Sequence, residues 1–232
     1  MNKRFKIKPE LIIFDADGVL VDSEIIAHQI NEIEMTRLGF PITTQKSIEL
    51  FAGITKDDFN AVMLQEYGRT IPDADLIPLL KKADDTIITE VKSIGGISEV
   101  LDYVEKKQIK KCIASNGASD YVFAVLTTTN LNKYFELEHI FSATMVNFKG
   151  KPEPDVFLLA ASHFNVKPED CLVIEDSVLG IKAAKAANMP VIGFLGGSHA
   201  QNIWYHEKII EAGPTVIVNN AIELLDFLKE YG

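Results

Sequence analysis

Apolar residues along the chain gather into short, nearly continuous runs separated by stretches with helical spacing. The runs are Leu11-Ile12-Ile13-Phe14, Lys111-Cys112-Ile113-Ala114, Cys171-Leu172-Val173-Ile174, Val191-Ile192-Gly193-Phe194 and Thr215-Val216-Ile217-Val218. A strand that is apolar on both sides is covered on both faces, which is the habit of parallel sheets flanked by helices. The intervening segments supply such helices: Ile97, Val100, Leu101 and Val104, and later Val178, Ile181 and Ala184, recur at a spacing that lines one helical face. The pattern predicts an α/β fold with a doubly wound, parallel sheet core.

Between about Glu24 and Lys92 the alternation stops. Ile26, Ile30, Ile33 and Leu38, then Phe59, Val62, Met63 and Tyr67, keep helical spacing with no strand between them. This predicts a smaller, all-helical second domain over residues 23–92, inserted into a core made of residues 1–22 and 93–232. The chain re-enters the core near Ser93-Ile94-Gly95-Gly96, where the two glycines fit either a flexible joint or a plain helix-initiating turn before Ile97.

Composition narrows the partners. Of 232 residues, 47% are hydrophobic and 24% charged, and the net charge is -10. An acidic surface repels nucleic acid and anionic membranes at long range, so neither is expected as a partner. No apolar run approaches the roughly 18 residues that cross a bilayer, and the basic start from Met1 to Lys8 has no apolar stretch after it, so the expected compartment is the cytoplasm. Cys112 and Cys171 lie inside apolar runs and read as small buried hydrophobes rather than zinc ligands or a disulfide. The sequence does not report an oligomeric state, and a monomer is compatible with it.

In an open parallel sheet, ligands bind beyond the carboxyl ends of the strands. Three strand ends are chemically loaded: Asp15-Ala16-Asp17-Gly18, Ser115-Asn116-Gly117 and Glu175-Asp176-Ser177. Each has a plainer reading as well, namely an acidic turn for the first and helix caps for the other two. Four carboxylates on one rim repel one another unless a cation sits among them, and all-oxygen ligands suit Mg2+. Asp15 and Asp176 are the expected direct side-chain ligands, with the Asp17 carbonyl as a third and Glu175 as a ligand or a supporting group. Ser115, Asn116 and Gly117 precede a helical segment, where a hydroxyl, an amide and backbone N–H groups suit a phosphate. Lys151, in Lys151-Pro152-Glu153-Pro154-Asp155, reads either as a solvated loop lysine or as a cation set beside Asp15 to neutralise a phosphoryl group.

In this order and on these strand ends the fragments resemble the haloacid dehalogenase (HAD) superfamily. Asp15-Ala16-Asp17-Gly18-Val19-Leu20-Val21-Asp22-Ser23-Glu24 is the specific match, and the helical insertion after it resembles the small cap of the beta-phosphoglucomutase-like branch. Such a resemblance implies a Rossmann-like core with a cap and a magnesium-dependent phosphatase acting on a small phosphorylated metabolite, a sugar phosphate or sugar-acid phosphate. It implies Asp15 as nucleophile forming an aspartyl-phosphate, Asp17 as acid and then base, and Ser115 and Lys151 as holders of the phosphoryl oxygens. Cap closure near Asp22-Ser23 and Ser93–Gly96 would exclude water.

The alternative within the branch is a sugar-phosphate mutase. Its cap histidine falls at Ala27 here, while His28 is displaced by one residue, about 100° around a helix. Its cap loop carries a lysine directly before its glycine and an arginine three residues after, whereas Gly53 is preceded by Ala52 and followed by Lys56. Lys56 remains as a weaker substrate-binding cation, without arginine's bidentate fork. Both departures favour hydrolysis. A dehalogenase lacks the second aspartate present as Asp17, and a signalling receiver domain is about half as long and has no cap. The five histidines show no metal-binding spacing and read as surface or packing residues.

Overall fold

A computed structural model of the protein describes residues 8–54 and 56–231, the side chains of 56–58 and 231 excepted. Its strands are β1 (Leu11–Phe14), β2 (Lys110–Ser115), β3 (Ile140–Ser142), β4 (Cys171–Glu175), β5 (Val191–Phe194) and β6 (Val216–Val218). They form one six-stranded sheet in the order β3-β2-β1-β4-β5-β6, and every neighbouring pair is parallel. Helices α1 (Ser23–Arg37), α2 (Thr44–Phe51), α3 (Lys56–Tyr67) and α4 (Asp73–Glu90) lie between β1 and the next core helix, α5 (Ile97–Lys106). Then come α6 (Ser119–Thr128), α7 (Asp155–His163), α8 (Val178–Ala186), α9 (Ile203–Ala212) and α10 (Ala221–Tyr231).

The continuous apolar runs explain why two helical layers are needed. Successive strand residues point to opposite faces, and β1 shows it. Ile12 and Phe14 join a cluster with Val100 and Leu101 of α5, Val125 of α6 and Leu224 of α10. Leu11 and Ile13 join Val156 and Phe157 of α7, Ile181 of α8 and Ile209 of α9. Both cysteines are fully buried and free, as expected of small core hydrophobes. The short edge strand β3 escapes a sequence reading, because its one apolar pair, Ile140-Phe141, is too short to carry a period.

The four helices α1–α4 enclose their own apolar cluster, which includes Met35, Phe40, Met63, Leu76 and Leu79. The apolar face expected for α1 holds at Ile30, which is buried, and at Ile26 and Leu38, which pack against apolar clusters, but not at Ile33. Ile33 is 58% exposed, whereas His28 and Glu34 are buried. Beside the buried Ile30 and Met35, part of this helix faces polar neighbours: Ser47 of α2 meets His28, and Lys82 of α4 meets Glu34. The two crossings between this unit and the sheet are tied together, since Asp22 N–H donates to Lys92 O at 2.9 Å and Ile94 N–H to Leu20 O at 3.0 Å. Gly96 has φ +83° and caps α5. That left-handed turn fits the helix-initiating reading of Gly95-Gly96.

Candidate active site

The strand order reverses direction at β1, with β2 to one side and β4 to the other, and a crevice opens at such a switch point. Asp15 follows β1, Glu175 ends β4 and Ser115 ends β2, so register alone brings three loaded strand ends to one rim. The turn after Asp15 needs glycine at position 18. Gly18 has φ +74°, and a Cβ there would lie 1.8 Å from Asp176 Oδ2.

Lys151 reaches this rim from the segment between β3 and α7. Its ammonium, 5% exposed as a residue, donates to Asp15 Oδ1 at 2.8 Å, Glu175 Oε1 at 2.5 Å and the Ala114 carbonyl at 2.8 Å. An ammonium has three donors, and all three are taken. The lysine is therefore no solvated loop residue. Its backbone is held at two points by Asn116, whose Oδ1 accepts from Lys151 N–H at 2.8 Å and whose Nδ2 donates to Lys151 O at 3.2 Å.

Glu175 is fully buried and its second oxygen accepts from Ser177 N–H at 3.0 Å and Ser177 Oγ at 2.9 Å. Ser177 also caps α8 by accepting from Gly180 N–H at 3.0 Å, so the capping reading of this segment holds alongside the chemical one. Gly180 makes room for the Glu175 carboxylate, where a Cβ would come within 1.8 Å of its carboxyl carbon.

Asp17 Oδ1 accepts from Ser23 Oγ at 2.5 Å and from Tyr121 Oη at 3.0 Å. Burial pushes its carboxyl up to about 6, against the two hydroxyls that favour the anion. Asp176 is also raised to about 6, mainly by burial, with His199 opposing. His199 is fully buried, with Nε2 3.0 Å from Asp176 Oδ2 and its ring edge-on to Tyr205, whose hydroxyl donates to Asp176 O at 3.1 Å. Asp15 stands well above the ordinary carboxylate range, through burial and the charges of Glu175, Asp176 and Asp17, which outweigh Lys151.

These residues line a cavity of about 220 Å³ that also touches Phe51, Gly53 and Ile54 of the helical unit. Asp15, Asp17, Ser115, Asn116, Gly117, Lys151 and Asp176 all border it, and Glu175 lies just behind. Two residues expected to bind substrate are already engaged elsewhere: the Asn116 amide grips Lys151, and Gly117 N–H donates to Ser115 Oγ at 3.0 Å. The Lys56 side chain lies outside the described residues. Sequence reasoning missed Tyr121, His199 and Tyr205. No local spacing announces them, and only the helix phase of Tyr121 and the strand-end position of the loop after β5, which holds His199, hint at them.

The donor set fits a hard divalent cation. Oxygens of Asp15, Glu175 and Asp176 lie within 4.8 Å of one another, and burial and mutual charge leave Asp15 and Asp176 reluctant to ionise without one. Both oxygens of Glu175 are engaged inside the protein, which makes it a support, while Asp15 and Asp176 are the better ligands.

A parallel sheet that gathers carboxylates and a buried lysine at its switch point is the frame of a Rossmann-like α/β enzyme. The sequence matches the haloacid dehalogenase-like hydrolases over residues 12–194, and the chain belongs to that family. It is 28% identical to a phosphoglycolate phosphatase of Nitrosococcus oceani, over 96% of this chain and 98% of the relative. It is 29% identical to a phosphorylated carbohydrates phosphatase of Thermotoga maritima, over 95% of this chain and 99% of the relative. The crystal structure of a HAD family hydrolase from Deinococcus radiodurans, with bound phosphate and sodium, matches with a TM-score of 0.81 at 28% identity, covering 96% of each chain. Among the described residues no helix is long and apolar enough to cross a membrane.

Proposed function

We propose that the protein is a cytoplasmic, magnesium-dependent phosphatase that hydrolyses a small phosphorylated metabolite, a sugar phosphate or sugar-acid phosphate, through an aspartyl-phosphate on Asp15. One observation carries the reading: the Lys151 ammonium bridges Asp15 and Glu175 beside Asp176, at the floor of a cavity bordered by Ser115.

An oxygen of the Asp15 carboxylate attacks phosphorus, the ester P–O bond breaks, and Asp17 gives its proton to the leaving oxygen. Water then attacks the phosphorus of the aspartyl-phosphate, Asp17 takes a proton from that water, and the bond to Asp15 breaks to release inorganic phosphate. A carboxyl raised to about 6 suits both halves of this exchange near neutral pH. Lys151 and the Ser115 hydroxyl hold phosphoryl oxygens, and Asn116 keeps Lys151 in place. Asp15, Asp176 and the Asp17 carbonyl, with Glu175 behind them, would hold magnesium, which would supply positive charge to the transferring group. Residues 23–92 act as the cap, closing on the linkers at Asp22-Ser23 and Ser93–Gly96, with Lys56 as a cap-side contact.

The mutase alternative finds less support. Ala27 stands where a mutase has its histidine, and the His28 ring is bonded to Ser47 Oγ at 2.9 Å rather than bordering the catalytic cavity. Magnesium-dependent phosphate release from p-nitrophenyl phosphate tests the proposal, with Asp15→Asn expected to lower kcat about 10⁴-fold or more. Undiminished activity in that variant, or a wild type inert across a broad metabolite panel, removes the mechanism. Conversion of a hexose 1-phosphate to its 6-phosphate isomer without phosphate release, given traces of hexose bisphosphate, would instead establish the mutase.

A further inference from the structure

A second cavity, of about 250 Å³, lies within the helical unit and shares Glu24, Phe51 and Ile54 with the catalytic one. The shared residues set this cavity against the catalytic one. Its size falls below the roughly 300–1,000 Å³ typical of drug-sized ligand sites, which suits a small metabolite.

Its polar edge is built on α1. Ser47 Oγ accepts from Asn31 Nδ2 at 3.1 Å, which leaves its own proton for His28 Nδ1 at 2.9 Å. In the tautomer in which His28 Nδ1 accepts that proton, the ring N–H is on Nε2. Nε2 has no hydrogen-bond partner although His28 is only 3% exposed, and it stands 3.6 Å from Glu24 Oε2, too far for a direct bond. Burial opposes charge on Glu24, yet His28 and His199 hold its carboxyl below the usual range. His28 Nε2 and the Glu24 carboxylate thus stand 3.6 Å apart, in ion-pair range but without a hydrogen bond, while much of the remaining wall is apolar, Phe59 and Leu79 included.

We propose that this cavity selects substrates whose organic part is uncharged and hydroxylated, one hydroxyl accepting from His28 Nε2 and donating to Glu24 while an apolar face lies on Phe59 and Leu79. A ligand carboxylate or second phosphate meets the Glu24 charge there, and no cation lines the cavity among the described side chains. The inference rests on the phosphatase reading and narrows it, favouring neutral sugar-type phosphates over sugar-acid phosphates.

The test compares kcat/KM for three kinds of matched monophosphate: a hexose 6-phosphate, deoxy analogues each lacking one hydroxyl, and the corresponding aldonic-acid phosphate. The expected wild-type result is a preference of about tenfold or more for the neutral ester over the acid, and for the parent over at least one deoxy analogue. Glu24→Gln, a shape-conserving change, should narrow the gap between neutral and acid substrates. His28→Phe should bring the parent-to-deoxy ratio toward one. Equal or better use of the acid by the wild type, or ratios unmoved by Glu24→Gln, overturns the inference while leaving the phosphatase standing. Absence of magnesium-dependent phosphate release even from p-nitrophenyl phosphate overturns both.

Discussion

The buried lysine of the sheet rim and the buried histidine of the helical unit are treated in opposite ways. At the rim, every donor of the Lys151 ammonium and both oxygens of Glu175 are bonded within the protein. In the helical unit, His28 Nε2 is left without a partner, and buried Glu34 is held by Arg37 and Lys82, whose own side chains are 67% and 53% exposed. The first arrangement fixes charges in advance of any substrate, which is what electrostatic catalysis requires. The second leaves bonding capacity for a ligand to complete. On the proposed reading, chemistry sits at the fully bonded lysine and selection at the histidine that is not.

The sharpest way to break this contrast is Lys151→Met. The variant keeps an unbranched apolar side chain but loses the ammonium, which stands 5.1 Å from the Phe157 ring centre, and leaves Asp15 and Glu175 buried together without their cation. Removing one partner of a buried pair costs about 3–5 kcal/mol. A loss of about 10²–10³ in kcat is also expected, the scale of a lost donor to developing charge. Chemical denaturation and steady-state kinetics measure the two effects. A variant as stable and active as the wild type would show that the rim charges are not coupled through this lysine.

Acidity gives the next largest effect. Asp17 and Asp176 both titrate at about 6 in the fold, pushed up chiefly by burial. A raised acid favours the folded state most when protonated. Its contribution is complete below the unfolded carboxylate range near 4 and is lost as pH climbs through about 6, by up to roughly 3 kcal/mol for each group. A dication among the same carboxylates reverses that loss. The rise in Tm caused by magnesium should therefore be several degrees larger at about pH 8 than at about pH 5. Equal shifts at both pH values would mean that carboxylate crowding does not tune the site.

The same contrast explains what could be read in advance. Strands β1, β2, β4 and β5 are legible because burial on both faces forces unbroken apolar runs, and their ends carry Asp15, Ser115, Glu175 and Asp176 at fixed offsets. Lys151 was legible as a residue but not as the centre of a three-acceptor knot, because its partners lie on three separate segments. Tyr121 and His199 reach Asp17 and Asp176 across tertiary distance, so nothing in local spacing marks them. On α1 only Ile33 departs from the expected face, because helical periodicity assumes that buried means apolar, whereas α1 buries His28 and Glu34 beside Ile30 and Met35 and exposes Ile33.

The mildest probe lies on the other side of the comparison. Lys82→Ala removes one of the two cations that hold Glu34, on a helix whose residue 82 does not border the catalytic cavity. The lysine is more than half exposed, so water screens the pair and can solvate what remains, and Arg37 still donates to Glu34 Oε2 at 2.8 Å. Such pairs are worth about 0.2–1 kcal/mol, which for a chain of this size lowers Tm by a few degrees at most. High salt should shrink the difference, and kcat on p-nitrophenyl phosphate should not change. A loss matching that of Lys151→Met would mean that α1 and α4 are locked as firmly as the rim. The division between a rigid chemical floor and a more adaptable selecting unit would then have no energetic basis.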